Sequence, residues 1–142
     1  MGGRGASSES SKMRKQNVKD MEQWTEQEAI DELYRNYWAQ DVYINTNRTI
    51  RQQVALLRQQ DDPSGENALK IKKYQAQQKK NDIMLNNLVD EMASVQKLMK
   101  KKKYDLEHDL KSGDTRRKEY DKFFEKLRTT KLEDKLKILK MI

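Results

Sequence analysis

The sequence predicts an all-α, elongated protein: a helical hairpin or coiled coil, a third C-terminal helix and a disordered N-terminal arm. The five glycines and the single proline, which interrupt helices, fall only near the start, at 63–65 and at 113. No segment shows the alternation of a half-buried strand. With 37% charged and 35% hydrophobic residues, each helix can bury only a narrow stripe, so the helices need neighbours.

Local signals divide the chain into an arm and one helical domain. Residues 1–24 lack periodicity and are rich in Gly, Ser and charge, which predicts a disordered basic arm. Thr25–Glu28 fits a capping box, Asp62–Pro63 fits an N-cap and first helical residue, and Gly113–Asp114 fits a helix stop and restart. The domain, 25–142, is therefore expected to contain helices at about 26–60, 66–111 and 115–140.

Apolar residues at alternating spacings of three and four predict a coiled-coil seam. In the second helix the spacing is clean over 85–99, with polar residues at some positions on either side; in the first helix the seam is weaker, because polar residues interrupt it. Its predicted members are Leu85, Leu88, Met92, Val95 and Met99 in the second helix, and Ile44 and Val54 in the first.

The short connection at 61–65 favours an antiparallel hairpin. Folding about residue 63 places Ile44 opposite Ile83, Val54 near 73–74, and Asn47 near 78–81. A polar layer at that height would fix the register. The alternative is that both helices pair with other chains in a homo-oligomer. The third helix is expected to fold back on the second.

The sequence contains few of the residues and motifs that catalysis requires. The chain has no cysteine and one histidine, His108, which excludes disulfides, thiolate nucleophiles and a two-histidine metal site within one chain. Phosphate-binding loops and nucleophile motifs are missing. We therefore expect no enzymatic activity, no cofactor, no metal and no small-molecule substrate. No apolar stretch is long enough for a membrane helix, and the absence of cysteine suits the cytoplasm.

The charge is polarised along the chain. Residues 25–66 carry four arginines and eight acidic residues, whereas residues 67–111 carry eleven lysines and six acidic residues. A lysine-rich helix is usually a solvated face, but it can also track a phosphate backbone. The candidate phosphate contacts are Lys97, Lys100, Lys101, Lys102, Lys103, Arg116 and Arg117.

The C-terminal segment is amphipathic, with Leu132, Leu136, Leu139 and Ile142 along one side. This pattern fits a helix that docks in a partner's groove or one that closes the bundle of its own chain. A membrane-surface helix is the third alternative, disfavoured because no Trp or Phe lies on the apolar side.

The opening residues Met1-Gly2-Gly3-Arg4-Gly5-Ala6-Ser7-Ser8 resemble the leader of many proteins encoded by phages and mobile elements of Gram-positive bacteria, including minor head proteins. The resemblance covers these eight residues and implies a phage or prophage setting, with the host cytoplasm or the virion as location. In that setting small, lysine-rich helical proteins are often assembly factors or inhibitors of host defence.

Together these observations predict a non-enzymatic assembly or interaction protein that acts through coiled-coil contacts, as a homo-oligomer or with a protein partner. The alternative is an electrostatic binder of nucleic acid or of a nucleoprotein complex, such as an inhibitor of a host defence complex. The two hypotheses differ in salt response, because phosphate contacts weaken steeply as salt rises.

Overall fold

The computed structural model describes residues 21–104 and 114–142, without the side chains of residues 114–117. These ranges contain four α-helices and no β-strand: α1 Glu26–Gln59, α2 Glu66–Lys101, α3 Asp114–Thr129 and α4 Leu132–Lys140. The predicted all-α fold is confirmed. The prediction of one helix over about 115–140 is wrong, since two helices occupy that range.

The start of α1 agrees with the prediction. Thr25 is the N-cap, and its hydroxyl oxygen accepts a hydrogen bond from the Glu28 amide at 3.2 Å. The start of α2 differs, because the cap position belongs to Gly65 with φ +74° rather than to Asp62. The Asp62 carboxylate still accepts hydrogen bonds from the amides of Asn67 and Ala68, both at 3.0 Å. Asp62 therefore provides acceptors for backbone amides in the first turn of α2, although it is not the N-cap residue.

Helices α1 and α2 form an antiparallel hairpin. Val54 packs near Tyr74 beside the turn, and Tyr104 reaches Trp24 at the open end. Between these ends, Asn81 donates a hydrogen bond to Asn47 Oδ1 at 2.9 Å. The predicted register of Val54 and Asn47 is confirmed, and with it the buried polar layer.

The prediction for Ile44 is wrong. Its side chain is 41% exposed, whereas Ile50 is fully buried. Helix α1 is the central helix and contacts α2, α3 and α4. These three neighbours bury a face of α1 that is much wider than a coiled-coil stripe, and Ile44 lies outside this face. Tyr37, one heptad earlier, is likewise 45% exposed.

Helix α2 ends ten residues earlier than predicted, in a Schellman motif. Lys103 adopts a left-handed conformation with φ 56°, and the amide of Tyr104 donates to the Met99 carbonyl at 3.0 Å. The Tyr104 hydroxyl also donates to the Trp24 carbonyl, at 3.0 Å. Contacts with the chain preceding α1 thus hold the end of α2, although Lys103 is not a glycine. Residues 105–113, including His108, lie outside the described residues.

The four residues before Thr25 correct the predicted extent of the arm. Met21 is 3% exposed and packs with Ile30 and Met99, and Trp24 lies against the same cluster. Met21 and Trp24 therefore belong to the core, whereas Glu22 and Gln23 are exposed. Residues 1–20 of the predicted arm lie outside the described residues.

Helix α3 runs parallel to α1 and packs mainly against it, so the expectation that it folds back on α2 is wrong. Helix α4 then turns back. Tyr120 lies against Tyr34, whereas Leu127, further along α3, packs with Val42. Between α3 and α4 the hydroxyl of Thr130 donates to the Lys126 carbonyl at 2.8 Å. Such a bond competes with helical hydrogen bonding and accompanies the break between the two helices.

Candidate interaction surfaces

The predicted seam of α2 faces the interior of its own chain. Met92, Val95 and Met99 are 9%, 2% and 0% exposed, and Leu85 and Leu88 are half-buried. Their contacts, like those of Val54, lie within the bundle. The structure therefore brings the predicted seam residues together as a core, with Ile44 as the exception. No free seam remains among them for another chain.

The apolar side of α4 also closes the bundle. Leu132 and Leu139 are 6% and 8% exposed, and Leu136 and Ile142 are half-buried against the core. Of the three alternatives for this segment, bundle closure is the one observed. A partner groove cannot take these leucines without displacing α4.

The predicted phosphate-binding residues do not form one surface. Lys97, Lys100, Lys101 and Lys103 are exposed at the end of α2. Lys102 instead donates to the carbonyls of Glu22, at 2.6 Å, and Trp24, at 3.2 Å. It therefore ties α2 to the segment before α1 and is not free to contact phosphate. The side chains of Arg116 and Arg117 lie outside the described residues.

A cleft that the sequence analysis missed opens between α1 and α3. Its volume is about 490 Å³. Aromatic side chains form most of its lining, and five of the chain's ten aromatic residues are among them. They are Tyr34, Tyr37, Trp38, Tyr120 and Phe124. The signal was present as two aromatic-rich segments, but nothing in the sequence placed those segments side by side.

Ring contacts hold several of these side chains in place. The centroids of Trp38 and Phe123 are 5.5 Å apart, and those of Tyr34 and Tyr120 are 6.5 Å apart. Phe123 in turn packs edge-on against Phe124 at 5.8 Å. These separations are typical of favourable aromatic pairs, so the walls of the cleft are formed before any ligand arrives.

Two carboxylates complete the lining, Asp41 from α1 and Asp121 from α3. Burial raises the pKa of Asp41 above its ordinary value, because partial removal from water disfavours the charged form. No lysine or arginine belongs to the lining as far as the described side chains extend. The cleft therefore combines π faces with negative charge.

A second groove of about 390 Å³ lies between α2 and α4 and has the opposite charge. Four lysines line it, Lys73 and Lys80 from α2 with Lys137 and Lys140 from α4, against a single acidic residue, Glu133. Lys137 lies 3.9 Å from Asp134, and both side chains are well exposed, so this ion pair contributes little. The groove can attract an anion.

Lys135, by contrast, points into the bundle and is 3% exposed. Its ammonium donates to Asn45 Oδ1 and to Thr49 Oγ1, both at 2.7 Å. Burial lowers its pKa, and the charge of Arg48 adds to the effect. This lysine attaches α4 to α1 and is not accessible to a ligand.

The described residues contain no group of three or more His, Cys, Asp or Glu arranged to hold a metal ion. Within the same ranges, no helix has the length and apolar character needed to cross a lipid bilayer. Comparison of the chain with protein-family models, curated proteins and solved structures finds no match.

Proposed function

We propose that this chain is a non-enzymatic, cytoplasmic helical protein that works by binding another protein. The aromatic cleft between α1 and α3 supports the proposal. Contiguous exposed apolar and aromatic surface marks interaction sites, and aromatic residues are enriched where interfaces are tightest. The Tyr37 ring is 45% exposed at the mouth of the cleft, and Ile44 continues the surface along α1.

The proposal moves the contact surface from the coiled-coil seam to the open side of α1. The homo-oligomer predicted from the sequence depended on a free seam, and that seam is buried within one chain. A different protein is therefore the favoured partner. The resemblance of the first eight residues adds a phage setting, in which an assembly factor or an inhibitor of host defence would need such a surface.

Selection from a random peptide library against the immobilised chain tests this function. We expect enriched peptides that bind the wild type and lose binding to Tyr37→Glu, which places a charge at the mouth of the cleft. Leu56→Glu is the matched control, because Leu56 is 51% exposed on the same helix and does not line the cleft. A library that yields no binders, or binders indifferent to Tyr37→Glu, would contradict the proposal.

The lysine groove favours a second function, binding of a nucleic acid through its phosphates. Along α2, Lys80 of this groove lies about 25 Å from Lys97, the nearest lysine of the exposed cluster, at about 1.5 Å per helical residue. The two groups of lysines can therefore be tested separately. Phosphate contacts from either would give affinity without reading the base sequence.

Fluorescence anisotropy with a DNA duplex and an RNA duplex at two salt concentrations provides the test. We expect Lys73→Glu combined with Lys140→Glu to weaken binding and to flatten its salt dependence, because each phosphate contact adds to the slope. The control is Lys100→Glu with Lys101→Glu, which alters net charge equally. Equal loss in both double variants would indicate general charge attraction, and no binding at low salt would exclude the function.

A further inference from the structure

The aromatic cleft has the size and rigidity of a ligand site. Its volume of about 490 Å³ lies within the range of about 300–1,000 Å³ usual for small-ligand pockets. Four of its five rings, those of Tyr34, Trp38, Tyr120 and Phe124, pack against another ring across α1 and α3 or within α3. Binding of a ligand would therefore involve little loss of conformational entropy in these side chains, which favours affinity.

The charge of the lining selects the class of ligand. Asp41 and Asp121 contribute negative charge from the two helices that form the walls. An anion would be repelled by both groups, and a neutral apolar ligand would gain no attraction from them. A cation would compensate them.

The aromatic rings point to the same class. The face of an aromatic ring carries negative potential, and a cation within about 6 Å of the centroid is attracted to it. Trp gives the strongest such contact, followed by Tyr and Phe. Trp38, Tyr37, Tyr120 and Phe124 are at least partly exposed in the cleft, whereas Tyr34 is 8% exposed and forms its floor. Arginine adds a planar guanidinium that stacks on rings and binds carboxylates.

We infer that the cleft binds the cationic side chain of an arginine or lysine presented by a basic segment of the partner protein. This inference rests on the proposed function and specifies its partner. The apolar stem of the side chain would lie along Tyr37 and Phe124, and the charged head would lie between the rings and the two carboxylates. The partner segment would continue over Ile44, which is exposed one helical turn beyond Asp41.

The fluorescence of Trp38 reports binding directly, in a background in which Trp24→Phe removes the other tryptophan. The probe is a short peptide amide with one arginine and no aromatic residue. The matched probe carries citrulline, which keeps the shape and removes the charge. We expect the arginine peptide to change the Trp38 emission and the citrulline peptide to bind about tenfold more weakly or not at all. Equal binding of the two peptides would overturn the inference.

The carboxylates are tested by Asp41→Asn and Asp121→Asn, which conserve shape. Each substitution is expected to weaken binding of the arginine peptide by about fivefold, as loss of one partly exposed charge contact predicts. Binding of the citrulline peptide should be unaffected. Asp134→Asn on α4 is the control, since this exposed carboxylate lies outside the cleft. Circular dichroism checks that each variant is folded. Unchanged arginine binding in both cleft variants would also overturn the inference.

Two further measurements distinguish a cationic side chain of a partner protein from other occupants of the cleft. If the peptide library yields binders that depend on Tyr37 but carry no basic residue, the proposed function stands and the cationic ligand is wrong. Sedimentation velocity of the chain alone is expected to show a monomer. Self-association that disappears in Asp41→Asn would assign the cleft to the basic surface of a second copy and would overturn the choice of a different partner.

Discussion

Two isoleucines on α1 test the placement of the core most directly. Ile50 is 0% exposed and packs with Val54 and Leu132, whereas Ile44 is 41% exposed. The seam predicted from the sequence contained Ile44 and omitted Ile50. The same substitution by alanine at both positions therefore separates the observed packing from the sequence pattern. Because both sites are inside one helix, the change in helix propensity is common to both.

The magnitudes follow from burial. Truncation of a fully buried isoleucine removes its transfer free energy and leaves a cavity, at a cost of about 2–5 kcal/mol. Ile50→Ala should thus lower the free energy of unfolding by about 3 kcal/mol. With a urea m value of about 2 kcal/mol per molar, the midpoint would fall by about 1.5 M. Ile44→Ala loses only part of the transfer term and leaves no closed cavity, so we expect at most about 1 kcal/mol.

Urea unfolding followed by circular dichroism at 222 nm measures both variants. The assay is run at low protein concentration, so that any intermolecular contact of Ile44 does not contribute. A loss for Ile44→Ala that equals or exceeds the loss for Ile50→Ala would refute the placement of the core. It would restore the seam predicted from the sequence.

Three other predictions follow from the buried polar groups and the cleft. Asn81→Ala should lower the free energy of unfolding by about 1–3 kcal/mol, because it leaves Asn47 Oδ1 buried without its donor. Replacing both asparagines by leucine should recover most of this loss, as measured by urea unfolding. A double variant that is no more stable than the single variant would contradict the reasoning. Burial lowers the pKa of Lys135, so the folded chain binds fewer protons than the unfolded chain, and the free energy of unfolding rises with pH from the folded pKa to the unfolded value of 10.5. Lys135→Met should abolish that contribution. The difference between the urea midpoints of wild type and variant should therefore change between about pH 8 and about pH 10. The same midpoint difference at both pH values would contradict the prediction. The pKa of Asp41, measured by NMR titration, should fall when the arginine peptide binds, because a nearby cation favours the carboxylate; a pKa that stays constant would show that the peptide does not reach Asp41.

Local rules in the sequence were sufficient where a few neighbouring residues decide the outcome. The cap at Thr25, the break at 61–65 and the antiparallel hairpin all follow from residues close together in the chain. The register of Asn47 opposite Asn81 also follows, because a short connection leaves little freedom in how two helices align.

The end of α2 could not be obtained in the same way. Gly113 suggested a helix to about 111, yet α2 ends at Lys101. The decisive contacts are those of Lys102 and Tyr104 with the carbonyl of Trp24, about 80 positions earlier in the sequence. No local signal marks such a partner, so a lysine occupies a left-handed position that sequence rules would assign to glycine.

The sequence by itself determined that this protein is helical, where its first two helices begin, and how they pair. These properties follow from backbone hydrogen bonding, from capping and from one apolar stripe per helix. Only the tertiary structure decided that α1 is buried by three neighbouring helices and that Ile44 faces out. It also brought aromatic residues of α1 and α3 together with two carboxylates in one cleft. The physical reason is that a helical periodicity fixes directions around one axis, whereas the number and position of neighbouring helices depend on packing between residues far apart in the chain.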